Sequence, residues 1–263
     1  MTALSILQIS DLHILPESHN TLLGVNTEYY FNAVLELAIN NHHPFDLILV
    51  TGDIAQDPCL KSYQRILERL NKTNIPCLCL PGNHDDLSLM QQVFNSAQVN
   101  CQKQLLLNNW QIINLNSQII GESGGYLNAI ELSFLKDCLI QHPNHHALIA
   151  VHHHCIPTQS AWLDTMIIKN NTELLDIVKQ FTQLKLIISG HIHQELDLTI
   201  GNIRVLGTPS TCFQFSPLSQ TFNISNEMPG YRLIKLEDNG CIETEVKRLA
   251  GVLTKLDLKS KGY

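Results

Sequence analysis

Basic residues are in short supply: 17 Lys and Arg stand against 24 Asp and Glu, for a formal charge of −7. A broad nucleic-acid-binding face needs clustered Lys and Arg, so that class of function is excluded. A small phosphate ligand is not excluded, because one bound cation can reverse the field locally. Long apolar runs are also missing. None reaches the length of a membrane span, and the opening MTALSILQISDLH lacks the basic flank and cleavage site of a secretory signal. These absences predict a cytoplasmic protein with no membrane partner, whose first residues form a strand. Eight cysteines include no Cys-x-x-Cys pair, so reduced thiols are expected in place of a disulfide framework. With no Pro/Ser linker and no repeat, residues 1–263 read as one domain, and 196–263 as a mainly β part of it.

What is present is an ordinary globular composition, 44% hydrophobic and 16% charged. Phe31, Val34, Leu35, Ala38 and Ile39 keep a helical spacing, with Asn26 placed to cap it. Tyr63, Ile66, Leu67 and Leu70 repeat that spacing after Pro58. Weaker helical patterns cover 130–140 and 172–181. Between them come strand-length runs: SILQI, LILV, CLCL, QIINL, ALIAV and LKLII. This alternation predicts an α/β protein with a largely parallel or mixed sheet. Beyond 195 the pattern is β, with a hairpin turning near Asp238-Asn239-Gly240.

Five of the strands end in costly polar groups. SILQI leads to Asp11-Leu12-His13, LILV to Gly52-Asp53, and CLCL to Gly82-Asn83-His84-Asp85. ALIAV leads to His152-His153-His154, and LKLII to Gly190-His191-Ile192-His193. Ligands of open α/β sheets gather at the carboxyl ends of strands, so these blocks are expected to converge. Each is weak alone. Together they place at least seven polar groups at one edge, with nothing but a ligand to satisfy them. Imidazole, carboxylate and amide donors without thiolate suit Mn, Fe, Zn or Co. Two such ions about 3.5–4 Å apart can share a carboxylate and a hydroxide. Asp53, alone on its strand, is the natural bridge.

On these blocks the chain resembles the calcineurin-like metallophosphoesterases, whose pattern is D-x-H, G-D, G-N-H-D/E, H and G-H-x-H. The resemblance implies a four-layer αββα sandwich of two mixed β-sheets flanked by helices, with a two-metal centre at one edge. It implies that Asp11, His13, Asp53 and His193 hold the first ion, and that Asp53, Asn83, His152 and His191 hold the second. His84 would contact phosphate and protonate the leaving oxygen, and His13, Asp53, Asn83, His152 and His193 would also face substrate. Within the family, the stretches VHHHCIPTQSAWLD, GHIHQELD, GTPSTCFQFSP and PGYRLIKL look most like bacterial class III 3′,5′-cyclic AMP phosphodiesterases. That implies hydrolysis of the cyclic nucleotide to 5′-AMP by a hydroxide bridging two divalent or mixed-valence ions. The alternatives are an acyclic diester, a pyrophosphate or a phosphomonoester as substrate, or a non-catalytic scaffold. A scaffold would be expected to have lost ligands, and none is lost here. A homodimer is compatible with the residues. Many relatives carry an acid three residues after the bridging Asp, where it orients the G-N-H histidine; here Gln56 stands there, with Asp57 next.

The remaining signals read as follows. His153 and His154 either reach the substrate or line the mouth. His42-His43 and His145-His146 fall in polar turns before strands. Trp162 and Asp164 belong to a loop that either borders the nucleotide pocket or simply packs, as aromatic loop residues more often do, and Phe213 and Phe215 alternate as one face of a strand. Thr208, Ser210 and Thr211 either meet substrate or shape a turn at Pro209. Lys255 to Lys261 reads as a fraying basic tail.

Overall fold

The computed structural model describes residues 3–42 and 44–262. Its first sheet is built on strand β1 (Leu4–Ile9), followed by helix α1 (Thr27–His42), β2 (Leu47–Thr51), α2 (Leu60–Asn71), β3 (Cys77–Leu80), α3 (Leu87–Val93) and β4 (Val99–Asn100). The second follows with β5 (Gln104–Leu107), β6 (Trp110–Leu115), α4 (Ala129–Gln141), β7 (His146–Val151), α5 (Asn171–Val178), β8 (Leu184–Ser189), β9 (Leu196–Ile200) and β10 (Ile203–Gly207). A short pair, β11 (Gln214–Phe215) and β12 (Ile224–Ser225), precedes β13 (Gly230–Leu236) and β14 (Ile242–Arg248).

The strand orders are β14-β13-β1-β2-β3-β4 and β5-β6-β7-β8-β10-β9. Strands β1 to β4 run parallel, as do β6, β7, β8 and β10, while β13, β14, β5 and β9 are antiparallel to their neighbours. Both sheets are therefore mixed. The C-terminal hairpin returns to the first sheet, where Leu4 pairs with Leu236 and Gln8 with Arg232.

Alternation along each strand builds the layers. In β1, Leu4 and Ile6 face the second sheet, where they meet Ile112, Leu148 and Leu186; Leu7 and Ile9 face α1 and α2 through Phe31, Val34 and Ile66. On the far side, Ile113, Ile149 and Ile187 pack under α4 and α5 through Leu135, Leu139 and Leu174. The result is the expected αββα sandwich. Truncating a fully buried inter-sheet residue such as Leu186 to Ala would cost about 2–5 kcal/mol, because the lost contacts leave a cavity.

Asn26 caps α1, its side chain accepting from Tyr29 N at 2.8 Å. The weaker helical patterns become α4 and α5. Helix α3, absent from the sequence expectation, starts on Asp86, which accepts from Leu89 N. His42 ends α1 and His146 opens β7, so neither lies in a turn; His43 is outside the described residues. The basic tail does not fray. Asp257 N donates to Leu23 O, and Leu256 packs beside Leu22 and Trp162. No described helix is long and apolar enough to cross a membrane.

Candidate metal centre

All five polar blocks follow parallel strands of the two sheets, so all five emerge on one edge. Between the sheets there, Gln8 donates to Thr51 Oγ1 and to Ser189 O, tying β1 and β2 to β8. The Asp11 carboxylate accepts from His191 N at 3.0 Å, although the two residues lie in different layers and 180 positions apart. Asp53 Oδ2 stands 3.8 Å from His13 Nε2 on one side and 3.3 Å from His152 Nε2 on the other. His193 Nε2 is 3.4 Å from Asp11 Oδ1. His152 Nε2 is 3.2 Å from Asn83 Oδ1, and the His191 ring centre is 5.1 Å from that of His152. The structure thus brings together every residue expected there, around a central Asp53.

The backbone reaches this arrangement through unusual dihedrals. Asp11, His13, Asp53, His191 and His193 all have φ between 45° and 66°, the left-handed region that non-glycine residues rarely adopt. Such strain persists where the surroundings over-determine it, and it clusters at functional sites. Two glycines permit the close approach. A Cβ on Gly82 would overlap the Asp53 carboxylate, and one on Gly190 would overlap the Ser10 hydroxyl.

Hydrogen bonds fix how the imidazoles point. His193 Nδ1 and His152 Nδ1 meet the carbonyls of Phe213 and Thr51 at 2.8 Å each. A carbonyl only accepts, so both Nδ1 atoms carry the proton. His13 Nδ1 donates likewise to Gln56 Oε1 at 2.7 Å. Rings held this way turn their Nε2 atoms inward, and those of His13 and His193 face each other at 3.3 Å. His191 Nε2 is buried with no hydrogen-bond partner.

The charges tell the same story. Burial opposes ionisation of Asp11 and Asp53, yet the imidazoles of His193 and His152 outweigh it and hold both carboxyls below their ordinary range. Burial likewise lowers His152, but Asp53 and Asp11 push it up to about 9, so positive charge is what that spot holds. Burial takes His13 down to about 3 and His191 well below its usual value, leaving both rings neutral. Facing Nε2 atoms, an orphaned ring nitrogen and two sealed carboxylates fit a pair of divalent cations: a cation satisfies all three at once.

Asn83 and His84 differ from these groups in being half-buried, at the open side of the site. Their loop is anchored from both layers. Asp85, fully enclosed, accepts from Ile54 N, Ala55 N, Gly82 N and the Tyr63 hydroxyl, which locks the Asp53 turn to the Asn83 turn. Burial and the nearby Asp53 raise its carboxyl to about 6. From the second sheet, the Gln118 side-chain amide donates to Gly82 O and Asp85 O, on either side of His84. His84 N itself donates to Asp53 Oδ1 at 2.9 Å. The sequence did not single out Gln118. Its one signal was a place three residues after strand β6, the offset at which Asn83 follows β3. Gln56, expected near His84, orients His13 instead.

Both ring nitrogens of His153 are engaged elsewhere, although its ring lies 4.7 Å from that of His191. Its Nε2 donates to Ser123 O and its Nδ1 accepts from Ser117 Oγ. Of the three consecutive histidines, it is His152 whose Nε2 stands against both Asp53 and Asn83. His154 stacks on His191, with ring planes 16° apart, and its Nε2 approaches Asp164 at 3.5 Å. Burial lowers it to about 4. Ser210 bonds Asp11 O and so shapes the ligand loop, while Phe213 and Phe215 pack on His193.

Residues 4–195 match the model of the calcineurin-like phosphoesterase family. The chain belongs to that family. Among curated relatives, it is 40% identical over 259 residues to the 3′,5′-cyclic adenosine monophosphate phosphodiesterase CpdA of Escherichia coli, covering 98% of this chain and 94% of that one. It is 38% identical over 246 residues to a 3′,5′-cyclic-nucleotide phosphodiesterase of Nostoc sp., covering 94% and 92%. Among solved structures, a dimetal phosphatase from Danio rerio superposes with a TM-score of 0.59 at 14% identity, over 95% of this chain and all of that one. That likeness speaks for the fold alone. All five polar blocks lie within the matched residues, and the fold delivers them to one edge.

Proposed function

We propose that this calcineurin-like phosphoesterase hydrolyses 3′,5′-cyclic AMP to 5′-AMP, acting in the cytoplasm as one domain over residues 1–263. The observation that carries the reading is the complete donor set around Asp53, with the half-buried Asn83-His84 pair beside it. The substrate is inferred from the relatives named for that activity.

Asp11, His13, Asp53 and His193 would hold one cation; Asp53, Asn83, His152 and His191 the other. Fe, Mn and Zn suit these donors. When bound, two divalent cations neutralise phosphate charge and lower the pKa of a coordinated water. The chain's own residues do the rest. The second-layer bonds from Gln56, Phe213 and Thr51 keep the imidazoles in ligating tautomers. Asn83 and His84 face the phosphate from the open side, and His84 is held there by Asp53 and Gln118. Water adds to phosphorus, the bond to the 3′ oxygen breaks, and His84 as general acid delivers a proton to that oxygen. The proton lost by water passes to solvent, which returns one to His84, so the reaction balances as the addition of one water.

The test is turnover of cyclic AMP, cyclic GMP, bis-p-nitrophenyl phosphate and p-nitrophenyl phosphate by the metal-loaded protein, with elemental analysis of the same preparation. Cyclic AMP is expected to be cleaved with the highest kcat/KM, at two transition ions per chain. A preparation that cleaves the monoester best, or works without such ions, overturns the reading.

A further inference from the structure

A cavity of about 170 Å³ opens beside the centre. Asn83, His84 and His191 line one side of it, and Trp162, Phe215 and Phe222 line the other. The aromatic side is a continuous cluster. Trp162 stands edge-on to Phe215 at 4.9 Å and to Phe222 at 5.3 Å, while Phe215 stacks on His193 at 4.2 Å with the rings 20° apart. One wall therefore runs from a cation-facing imidazole to half-buried aromatic rings at the mouth. A wider groove of about 470 Å³ on the first sheet's hairpin side, lined by His42, Lys235 and Glu243, holds none of this chemistry.

We propose that the aromatic side of this cavity seats the heteroaromatic base of the nucleotide, through Trp162 and Phe222. The inference rests on the reading of the centre as a cyclic nucleotide phosphodiesterase and extends it from the phosphate to the rest of the molecule. A phosphate against Asn83 and His84 has these rings across the same cavity, within reach of the remainder of its ligand. No acidic or strongly basic side chain lines the cavity, and Ser123 is its one hydroxyl. Recognition there is by stacking and apolar area, which any base supplies, and not by a donor–acceptor code. Aromatic side chains at the cavity thus reward the presence of a base while discriminating little between adenine and guanine.

The chain has two tryptophans, and Trp110 is sealed between the sheets, so emission changes on ligand binding report Trp162. The experiment titrates the metal-loaded protein with AMP, GMP and ribose 5-phosphate, following tryptophan fluorescence and, independently, heat of binding. AMP is expected to quench the emission and to bind roughly tenfold more tightly than ribose 5-phosphate, with GMP within about threefold of AMP. Phe222→Ala is expected to shrink the AMP advantage to about twofold, and Trp162→Phe, which keeps a ring, to remove the quench while retaining most of the advantage. Circular dichroism checks that both variants are folded. Equal affinities for AMP and ribose 5-phosphate in the wild type overturn the proposal, as does a Phe222→Ala variant that weakens both by the same factor. Cyclic AMP turnover is measured alongside. A base preference without turnover leaves the base seat standing and faults the catalytic reading alone.

Discussion

Two of the strands that lead to the site, β2 and β7, also start beside an aspartate and a histidine, Asp46 and His146, and the two ends treat these groups differently. At the amino ends, exposed Asp46 accepts from Ser5 N, and half-buried His146 donates to Asp238 O at 3.2 Å. Each group there has water or an ordinary partner. At the carboxyl ends, Asp11, His13, Asp53, His152, His191 and His193 are all 6% exposed or less. Left-handed backbone is concentrated at the carboxyl ends. Away from the site it is scattered singly over Leu23, Asn74, Asn108, Gln159 and Leu218, of which the asparagines tolerate it well. At the site it falls on two aspartates and three histidines, at a cost of about 1–3 kcal/mol each. Polar residues near a strand terminus are therefore uninformative by kind. What separates the ends is burial, with two aspartates and four histidines crowded against one another and the His191 Nε2 left with no hydrogen-bond partner.

Substitutions can break this contrast. Asp53→Ala should do most: both cation sets lose their shared carboxylate, so metal content should collapse and turnover fall by about a thousandfold or more. Elemental analysis and a cyclic AMP assay check it; retention of two ions would remove Asp53 from the centre. His84→Ala should separate chemistry from cation holding, with turnover down about 10²–10⁴-fold and metal content intact. Gln56→Leu leaves His13 Nδ1 unpaired, and a competition titration with a chelator should show one cation bound about 10–100-fold more weakly. Gln118→Leu removes two anchors of the His84 loop and should lower kcat by about tenfold with metal affinity kept; a structural role alone would change the melting temperature and leave kcat intact. At the opposite edge, Asp46→Ala should cost about 0.5–1 kcal/mol in denaturant unfolding and leave metal content and turnover unchanged.

The legible part of the molecule was what repeats along the chain. Helix α1 and strands β1, β2, β3, β7 and β8 follow from apolar period, and the blocks after them from residue kind. The inter-layer partners were not legible. That Gln56 serves His13 depends on where a side chain points after a left-handed turn, and no spacing rule encodes it. Asp85 looked like a companion of His84, yet its carboxylate clamps backbone amides of the turn after β2, 30 residues away. Gln118 lies in the other layer from the loop it holds, so its role appears only once the two sheets are docked. The tail misled because Lys-rich termini read as solvated, whereas Leu253 and Leu256 anchor it on apolar surface.

The donors divided between the two layers have one more consequence. His191 and His193 are made 180 residues after Asp11 and His13, so a chain emerging from the ribosome carries half a cage for most of its synthesis. Under the proposed assignment neither half offers a full coordination sphere, so capture of metal would await the docking of one sheet on the other.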